Sequence, residues 1–170
     1  MAISFPGGSI RPFLPTDAET LASLADNREV WRNLRDAFPS PYTKQDARAW
    51  IRAATRQFPC MHFAVCEGER LAGGIGIVPR IDVHEGTAEV GYWLGEPFWG
   101  RGLMTKALGA FSEFAFAEFK LRRIFAGVFE WNPASARVLE KCGYAFEGRM
   151  RKGVVKDGVV VDELIYAKVV

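Results

Sequence analysis

Apolar residues recur every three or four positions through residues 102–119, and polar residues fall on the opposite side of that repeat. The apolar positions are Met104, Leu108, Phe111, Ala115 and Phe119, and the polar side carries Lys106, Glu113 and Lys120. This spacing predicts an amphipathic helix. A second helix is predicted over residues 43–57, with Thr43 as its N-cap. Shorter helices are predicted over residues 16–24, capped by Thr16 or Asp17, over 28–34, and over 132–142, which Gly143 closes.

Alternating or continuous apolar runs between these helices predict the strands. They cover residues 4–13, 61–66, 71–78, 87–94, 121–129, 144–155 and 159–169. The run at 121–129 is apolar on both faces, which is typical of a central strand. The last two strands form a hairpin around Asp157-Gly158. Helices and strands that alternate before a terminal hairpin predict an α/β fold with a mixed sheet, and we expect one domain over residues 1–170.

The composition narrows the class of protein. The 170 residues are 49% hydrophobic and carry a formal net charge of +2, so we expect a folded chain without a nucleic-acid partner. Cys60, Cys66 and Cys142 form no paired metal spacing, so we expect reduced thiols and no metal site. No signal peptide and no long apolar run is present, which predicts a cytoplasmic protein without a membrane partner.

The turn at residues 99–104 offers one candidate for binding chemistry. Gly100 and Gly102 permit positive φ angles just before a helix, whose free N–H groups favour an anion such as a phosphate. The side chains of Arg101 and Lys106 can add charge. The spacing matches neither a P-loop nor the dinucleotide fingerprint. The alternative is that the glycines bind nothing, because many turns between a strand and a helix need glycine for steric reasons only.

Glu89 is a lone carboxylate in an apolar strand. Strand alternation places Glu89, Gly91 and Trp93 on one face and Val90, Tyr92 and Leu94 on the other. Bulky or absent side chains beside Glu89 would partly remove it from water, which suits a general base. The alternative is a rim glutamate that forms a salt bridge.

Asn132-Pro133-Ala134-Ser135 has the sequence of a helix start. Asparagine is a favoured N-cap and proline is favoured just after it, so capping alone explains both residues. The same geometry presents the Ser135 hydroxyl beside a helix N-terminus, where it could protonate a leaving thiolate. Tyr144 is open to two interpretations, a core residue or an acid that faces a cleft.

These signals follow one another along the chain in an order that resembles the GNAT acetyltransferase superfamily, and more narrowly its RimJ/RimL-like branch. The resemblance covers nearly the whole chain. The motifs that carry it are Asn27-Arg-Glu-Val-Trp-Arg-Asn33, Phe38-Pro-Ser-Pro-Tyr-Thr43, Ala49-Trp-Ile51, Glu89-Val-Gly-Tyr-Trp-Leu94, Phe98-Trp-Gly-Arg-Gly102, Asn132-x-x-Ser135 and Leu139-Glu-Lys-Cys-Gly143. It implies a mixed, mostly antiparallel central sheet of about seven strands, with a splayed central parallel pair and about four flanking helices.

The resemblance also implies acetyl-CoA as the co-substrate. The residues implied to bind it are Tyr92, Trp93, Leu94, Gly100, Arg101, Gly102, Leu103, Met104, Thr105 and Asn132. The pantetheine arm would bond the strand edge at Tyr92, Trp93 and Leu94, and the diphosphate would lie on the turn. Two residues depart from the superfamily pattern. Trp99 begins the turn, as is common in this branch, and Met104 replaces a small residue and could crowd a phosphate.

The implied reaction is transfer of an acetyl group to a primary amine. We expect Glu89, directly or through water, to remove the proton of the acceptor, and Ser135 to protonate the thiolate. We expect Trp31, Phe38 and Tyr42 to line the acceptor cleft. A protein N-terminal α-amine of the ribosomal-protein-alanine type is the first expectation, and a polyamine, amino acid or antibiotic is the alternative.

Other functions and assemblies remain open at this point. An acyl-CoA-binding regulatory module without turnover would bind the same co-substrate and release no thiol. A nucleotide-binding protein of another fold would be stabilised against thermal unfolding by ATP or NAD, and not by acetyl-CoA. The chain could be a monomer or a homodimer.

Overall fold

The structure is a computed structural model that describes residues 2–170. The N-terminal part contains a strand hairpin and two helices, with bounds β1 Ile3–Phe5, β2 Gly8–Pro12, α1 Ala18–Ala25 and α2 Arg28–Trp31. The single strand predicted over residues 4–13 is therefore wrong, because the chain turns at Gly7 with φ = +91°. Asp17 occupies the N-cap position of α1, as predicted, but its carboxylate makes no capping bond to that helix. It instead accepts bonds from Arg11 and from the Leu14 N–H.

The next segment is a long helix followed by an antiparallel strand pair. Their bounds are α3 Lys44–Arg56, β3 His62–Glu67 and β4 Arg70–Pro79. Thr43 caps α3 as predicted, because its hydroxyl accepts a hydrogen bond from the Asp46 N–H while the Asp46 carboxylate accepts one from the Thr43 N–H. The helix predicted over residues 28–34 is shorter than expected, since α2 ends at Trp31.

The central part of the chain runs strand, helix, strand. The bounds are β5 Thr87–Leu94, α4 Leu103–Glu118 and β6 Arg123–Phe129. β5 has the bounds that its alternation predicts, and α4 lies within one residue of its predicted start and end. β6 begins two residues later than expected.

The C-terminal part is a short helix and a long hairpin. The bounds are α5 Pro133–Lys141, β7 Ala145–Lys156 and β8 Val159–Val169. Asp157 and Gly158 both have positive φ, 53° and 73°, as a two-residue turn of the predicted kind requires. The sheet thus has eight strands rather than about seven, because the N-terminal strand is a hairpin, and it is flanked by five helices.

All eight strands form one sheet in the order β1-β2-β3-β4-β5-β6-β8-β7. Only β5 and β6 pair in parallel; the other neighbours are antiparallel. One face packs against α4 and α5, and the other packs against α1 and α3. No helix within residues 2–170 is long and apolar enough to cross a lipid bilayer.

Candidate active site

The parallel strands β5 and β6 separate part-way along their length. Within the described residues they pair only where Thr87, Ala88 and Glu89 face Arg123, Ile124 and Phe125. β5 then continues to Leu94 and β6 to Phe129 without further pairing between them. This opening, which we call the splay, leaves backbone groups of the β5 edge free to bind an extended ligand.

The turn after β5 presents free backbone N–H groups beside the splay. Gly100 and Gly102 have φ angles of +73° and +71°, and Gly102 immediately precedes α4. A Cβ on either glycine would meet nothing within 4 Å, so the backbone conformation, and not lack of space, requires glycine here. Across residues 2–170, no protein acceptor bonds the N–H groups of residues 100–105. These N–H groups and the helix dipole are the features that favour an anion at a helix N-terminus.

The side chains of this turn point away from its N–H groups. Arg101 forms an ion pair with Glu67 at 3.1 Å and donates to the Pro97 carbonyl, so its charge is largely neutralised. Leu103 and Met104 are buried in the core under the sheet. The Met104 side chain therefore does not crowd the turn, contrary to the expectation. Lys106 is exposed on α4. The turn consequently offers an anion mainly backbone N–H groups.

The indole of Trp99 reaches back to the strand that precedes the turn. Its Nε1 donates to the Leu94 carbonyl oxygen at 2.8 Å. Of the predicted pantetheine-binding edge at Tyr92, Trp93 and Leu94, the Leu94 carbonyl is thus already bonded. This contact fixes the turn relative to the end of β5.

Glu89 lies at the last paired position of β5, where the splay begins. Its side chain is 15% exposed, so it is largely removed from water as the strand alternation predicts. Two guanidinium groups contact its carboxylate, that of Arg35 and that of Arg80 at 3.1 Å. Glu89 therefore makes the salt bridges that the alternative interpretation predicted, and one of them comes from a loop 54 positions away.

Ser135 lies at the splay with two polar partners. The Asn132 side chain accepts a hydrogen bond from the Ser135 N–H, so Asn132 is the N-cap of α5. The Ser135 hydroxyl is 2.9 Å from the Tyr92 hydroxyl, and either group can be the donor. Burial raises the pKa of Tyr92, although its bond with Ser135 acts in the opposite direction. The phenol is therefore protonated at neutral pH and can act as a donor.

The Tyr92 side chain is a functional candidate that the sequence analysis missed. Only the backbone of Tyr92 was expected to contribute. The alternation of β5 did contain the signal, because it places Tyr92 on the face opposite Glu89, where α5 packs.

Comparison with known families identifies the chain. Residues 9–145 match the family model described as "Acetyltransferase (GNAT) domain". The chain belongs to the GNAT acetyltransferase family. A relative in Bacillus subtilis (strain 168), "Probable N-acetyltransferase YjcK", is 34% identical over 165 residues, which cover 93% of this chain and 91% of the relative. The protein is therefore an acetyl-transferring enzyme.

Two further relatives bear on the branch of the family. The "Ribosomal-protein-serine acetyltransferase" of Escherichia coli (strain K12) is 30% identical over 108 residues, covering 64% of this chain and 60% of that protein. The fold is that of the solved structure titled "RimL- Ribosomal L7/L12 alpha-N-protein acetyltransferase in complex with Coenzyme A", with a TM-score of 0.88 at 20% identity over 100% of this chain and 98% of that one. The predicted GNAT fold and its RimJ/RimL-like resemblance are confirmed.

Tyr144 of this acetyltransferase is a core residue. Its hydroxyl lies 2.8 Å from the buried Ser112 hydroxyl of α4, and the residue is 3% exposed. Burial raises the pKa of Tyr144 to about 12. Of the two tyrosines, it is Tyr92 and not Tyr144 that contacts Ser135.

The residues expected to line the acceptor cleft separate into two groups. Phe38 stacks against Tyr42 and Trp93, with ring centroids 4.8 and 5.4 Å apart, so these three form one aromatic wall on the Glu89 face of the sheet. Trp31 is not part of this aromatic wall. Its ring supports the Lys156 ammonium, 3.6 Å from the ring centroid.

A cavity of about 290 Å³ lies between the loop after α2 and the last strands of the acetyltransferase. Its charged lining consists of Arg35, Asp36, Lys156 and Glu163. Arg35 also contacts Glu89, so one wall of the cavity is joined to the beginning of the splay. Among residues 2–170, no cluster of three or more His, Cys, Asp or Glu side chains is arranged to hold a metal ion.

Proposed function

We propose that the protein transfers an acetyl group from acetyl-CoA to the α-amine of a protein N-terminus. The observation that carries this proposal is the junction of the splay with the Gly100–Gly102 turn. Free N–H groups lie at one end of this junction, and the Glu89 carboxylate lies at the other. A thioester held along the splay would present its carbonyl between them.

The residues present fit acetyl-CoA. Its diphosphate needs several N–H donors and no bulky side chain nearby, which residues 100–105 provide. The pantetheine arm carries amides that can bond the free β5 edge at Tyr92, whereas the Trp93 backbone pairs with Gly74 of β4. Asn132 and Ser135 lie at the start of α5, where the thioester sulfur would end. A solved protein of the same fold is titled as a complex with coenzyme A.

Glu89 is the proposed acceptor of the ammonium proton. An amine attacks a thioester only in its neutral form, and an α-amino group, with a pKa near 7.7–8.0, is neutral only about a tenth of the time at pH 7. Arg35, whose side chain is 68% exposed, can leave Glu89 without a large cost of burial when an ammonium group takes its place. General-base catalysis of this kind contributes about 10²–10⁴-fold.

Ser135 is the proposed donor to the departing thiolate. The Tyr92 hydroxyl orients the Ser135 hydroxyl, and both lie at the N-terminus of α5, which favours developing negative charge. The free N–H groups of the β5 edge would meet the oxyanion.

The choice of an N-terminal α-amine follows from chemistry and from a relative. The aromatic wall of Phe38, Tyr42 and Trp93 suits a peptide side chain, and an α-amine loses its proton more readily than a lysine amine. One relative, at 30% identity, is named for ribosomal-protein serine acetylation.

The first experiment measures co-substrate binding and turnover separately. Acetyl-CoA should raise the melting temperature, whereas ATP and NAD should not. Free thiol release is then followed with peptides that have free α-amines, with their N-blocked counterparts, and with polyamines, amino acids and aminoglycosides. Release with the free peptides alone supports the proposal. Release only with small amines overturns the acceptor class, and binding without release across the panel overturns the reaction.

The substitution Glu89→Gln tests the proton acceptor. It should lower kcat by about 10²-fold or more and leave the acetyl-CoA shift in melting temperature nearly unchanged, because Gln keeps the shape and cannot take a proton. Glu85→Gln, on the exposed loop before the same strand, is the matched control and should behave as wild type. Wild-type turnover in the Glu89→Gln variant would remove Glu89 from the mechanism.

A further inference from the structure

A second carboxylate lies on the same face of the sheet as Glu89, on the other side of β6. In the sheet register Glu89 faces Phe125, and Glu163 of β8 faces Phe129. The Glu163 carboxylate lies over Gly127, because a Cβ on that glycine would overlap its Oε1 atom. Gly127 is two residues beyond Phe125, roughly 7 Å along β6. The two carboxylates thus flank β6 where the splay opens.

The glycine makes this position possible. Any larger residue at 127 would displace the Glu163 side chain. Phe125, Gly127 and Phe129 share one face of β6 by alternation, so the bare backbone between two phenylalanines leaves room for the carboxylate. Glu163 also lines the 290 Å³ cavity that Arg35 joins to Glu89.

Charged groups surround Glu163 from several elements. They are Arg35 and Asp36 of the loop after α2, Glu89 of β5 with its partner Arg80, and Lys156 of β7. Lys156 is engaged by Asp36 at 2.7 Å, and Arg80 by Glu89 at 3.1 Å. Arg35 contacts Glu89 and also favours a charged Glu163. Of the two carboxylates, Glu89 therefore receives the direct ion pairs.

We propose that Glu163 is a second catalytic carboxylate, which takes the proton of the acceptor ammonium while Glu89 holds that ammonium by its charge. This moves the role of proton acceptor from Glu89 to Glu163, leaves the rest of the proposed function unchanged, and rests on that function. The acceptor ammonium would displace the Arg35 guanidinium from Glu89. Burial, followed by the negative charge of Glu89, raises the pKa of Glu163, whereas Arg35 opposes this change, so the neutral form of Glu163 is more accessible than that of an ordinary glutamate.

The atoms balance in three steps. The ammonium gives one proton to the Glu163 carboxylate and becomes a neutral amine. The amine lone pair forms the C–N bond with the acetyl carbonyl carbon, and the C–S bond breaks. The second amine proton reaches the thiolate by way of Ser135, and Glu163 returns its proton to solvent. The net products are the acetylated amine, coenzyme A with a free thiol, and one proton.

The pH dependence of kcat/KM tests the assignment, with the free-amine peptide that gives the fastest thiol release as the probe. A base must be deprotonated, so kcat/KM of the wild type should fall as the pH is lowered. This fall, the acidic limb of the profile, should begin at a higher pH than it would with a glutamate of ordinary pKa. Glu163→Gln should lower kcat/KM at pH 7 by about 10²-fold or more and abolish this acidic limb. Glu163→Asp, which keeps a carboxyl group, should retain the limb with reduced kcat.

The controls separate this inference from the function beneath it. Glu147→Gln removes a carboxylate of β7 that pairs with Arg123 of β6, two strands away in the sheet, and it should keep the wild-type profile. If acetyl-CoA raises the melting temperature of Glu163→Gln as much as that of the wild type, the variant is folded. If that shift is lost, Glu163→Asp tests the inference instead: an acidic limb in its pH profile supports Glu163 as the base, and its absence contradicts this role. A wild-type profile in Glu163→Gln overturns the inference and leaves the proposed function standing. Absence of thiol release from the wild type overturns both.

Discussion

Two buried tyrosine hydroxyls in this protein each share a hydrogen bond with a serine, but only one pair lies at the splay. Tyr92 contacts Ser135 at 2.9 Å, and Tyr144 contacts Ser112 at 2.8 Å below α4. Tyr92 is partly buried and also donates to the Ser135 carbonyl oxygen at 3.2 Å, whereas Tyr144 is fully buried, but both pairs join the same two side-chain types. They therefore allow the catalytic contribution of one hydroxyl to be separated from its contribution to stability.

Tyr92→Phe and Tyr144→Phe should have similar effects on stability and different effects on turnover. Each removes the hydrogen bonds of one tyrosine hydroxyl, which should lower the free energy of unfolding by about 1–2 kcal/mol. Tyr92→Phe should also lower kcat several-fold, because the Ser135 hydroxyl loses the group that orients it. Urea unfolding and steady-state kinetics measure the two effects. Equal kcat values for both variants would show that Tyr92 does not support Ser135.

At the scale of the element, helix α4 has one glycine immediately before it and one inside it, and the two have different roles. Gly102 precedes the helix at φ = +71°, whereas Gly109 lies inside it. A Cβ on either residue would meet nothing within 4 Å outside the local helix backbone. The same substitution at both positions therefore compares backbone conformation alone.

Gly102→Ala should destabilise the protein by about 1–2 kcal/mol, because an L-residue is strained in the left-handed region. Gly109→Ala should stabilise it by about 0.5–1 kcal/mol, because alanine favours the helix interior. Only Gly102→Ala should weaken acetyl-CoA binding, measured by titration calorimetry, since it disturbs the N–H groups of the turn. Unchanged affinity in Gly102→Ala would argue against the turn as the diphosphate site.

Local periodicity accounts for how much of the fold the sequence predicted. The apolar repeat of α4, the alternation of β5 and the caps at Thr43 and Asn132 depend on neighbours within a few positions, and each was found as predicted. The hairpin at Gly7 was missed, because its strands have only three and five residues and show little pattern. Predicted ends that moved, such as that of α2, depend on packing.

The charged environment of the site could not be predicted in the same way. Arg35 reaches Glu89 from 54 positions away, and Glu163 reaches the same face from β8, beyond α4 and α5. Such contacts depend on strand order and register, which no local pattern contains. The motif resemblance located Glu89 and Ser135, but it gave no indication of Arg80, Glu163 or the Tyr92 hydroxyl.

At the scale of the whole molecule, one buried lysine joins segments from opposite ends of the chain. The Lys156 side chain is 1% exposed, and its ammonium contacts Asp36, 120 positions earlier, and the ring of Trp31. Beside it, Arg28 of α2 pairs with Asp157 of the hairpin turn. These contacts attach the loop that borders the 290 Å³ cavity to the terminal hairpin.

Removing the two partners of this ion pair should have unequal effects, although each substitution deletes the same contact. The Asp36 side chain is 73% exposed, whereas the Lys156 ammonium is buried. Asp36→Asn removes the negative charge that pairs with this ammonium, so it should lower the free energy of unfolding by about 1–3 kcal/mol. Lys156→Met replaces the ammonium with an apolar group of similar length, and such changes are often neutral or stabilising. Urea unfolding of both variants and of the double variant measures this. The double variant should have the stability of Lys156→Met, because no buried charge then remains. If Lys156→Met lowers the free energy of unfolding more than Asp36→Asn does, the contact of the ammonium with Trp31 stabilises the protein by more than the burial of the charge destabilises it.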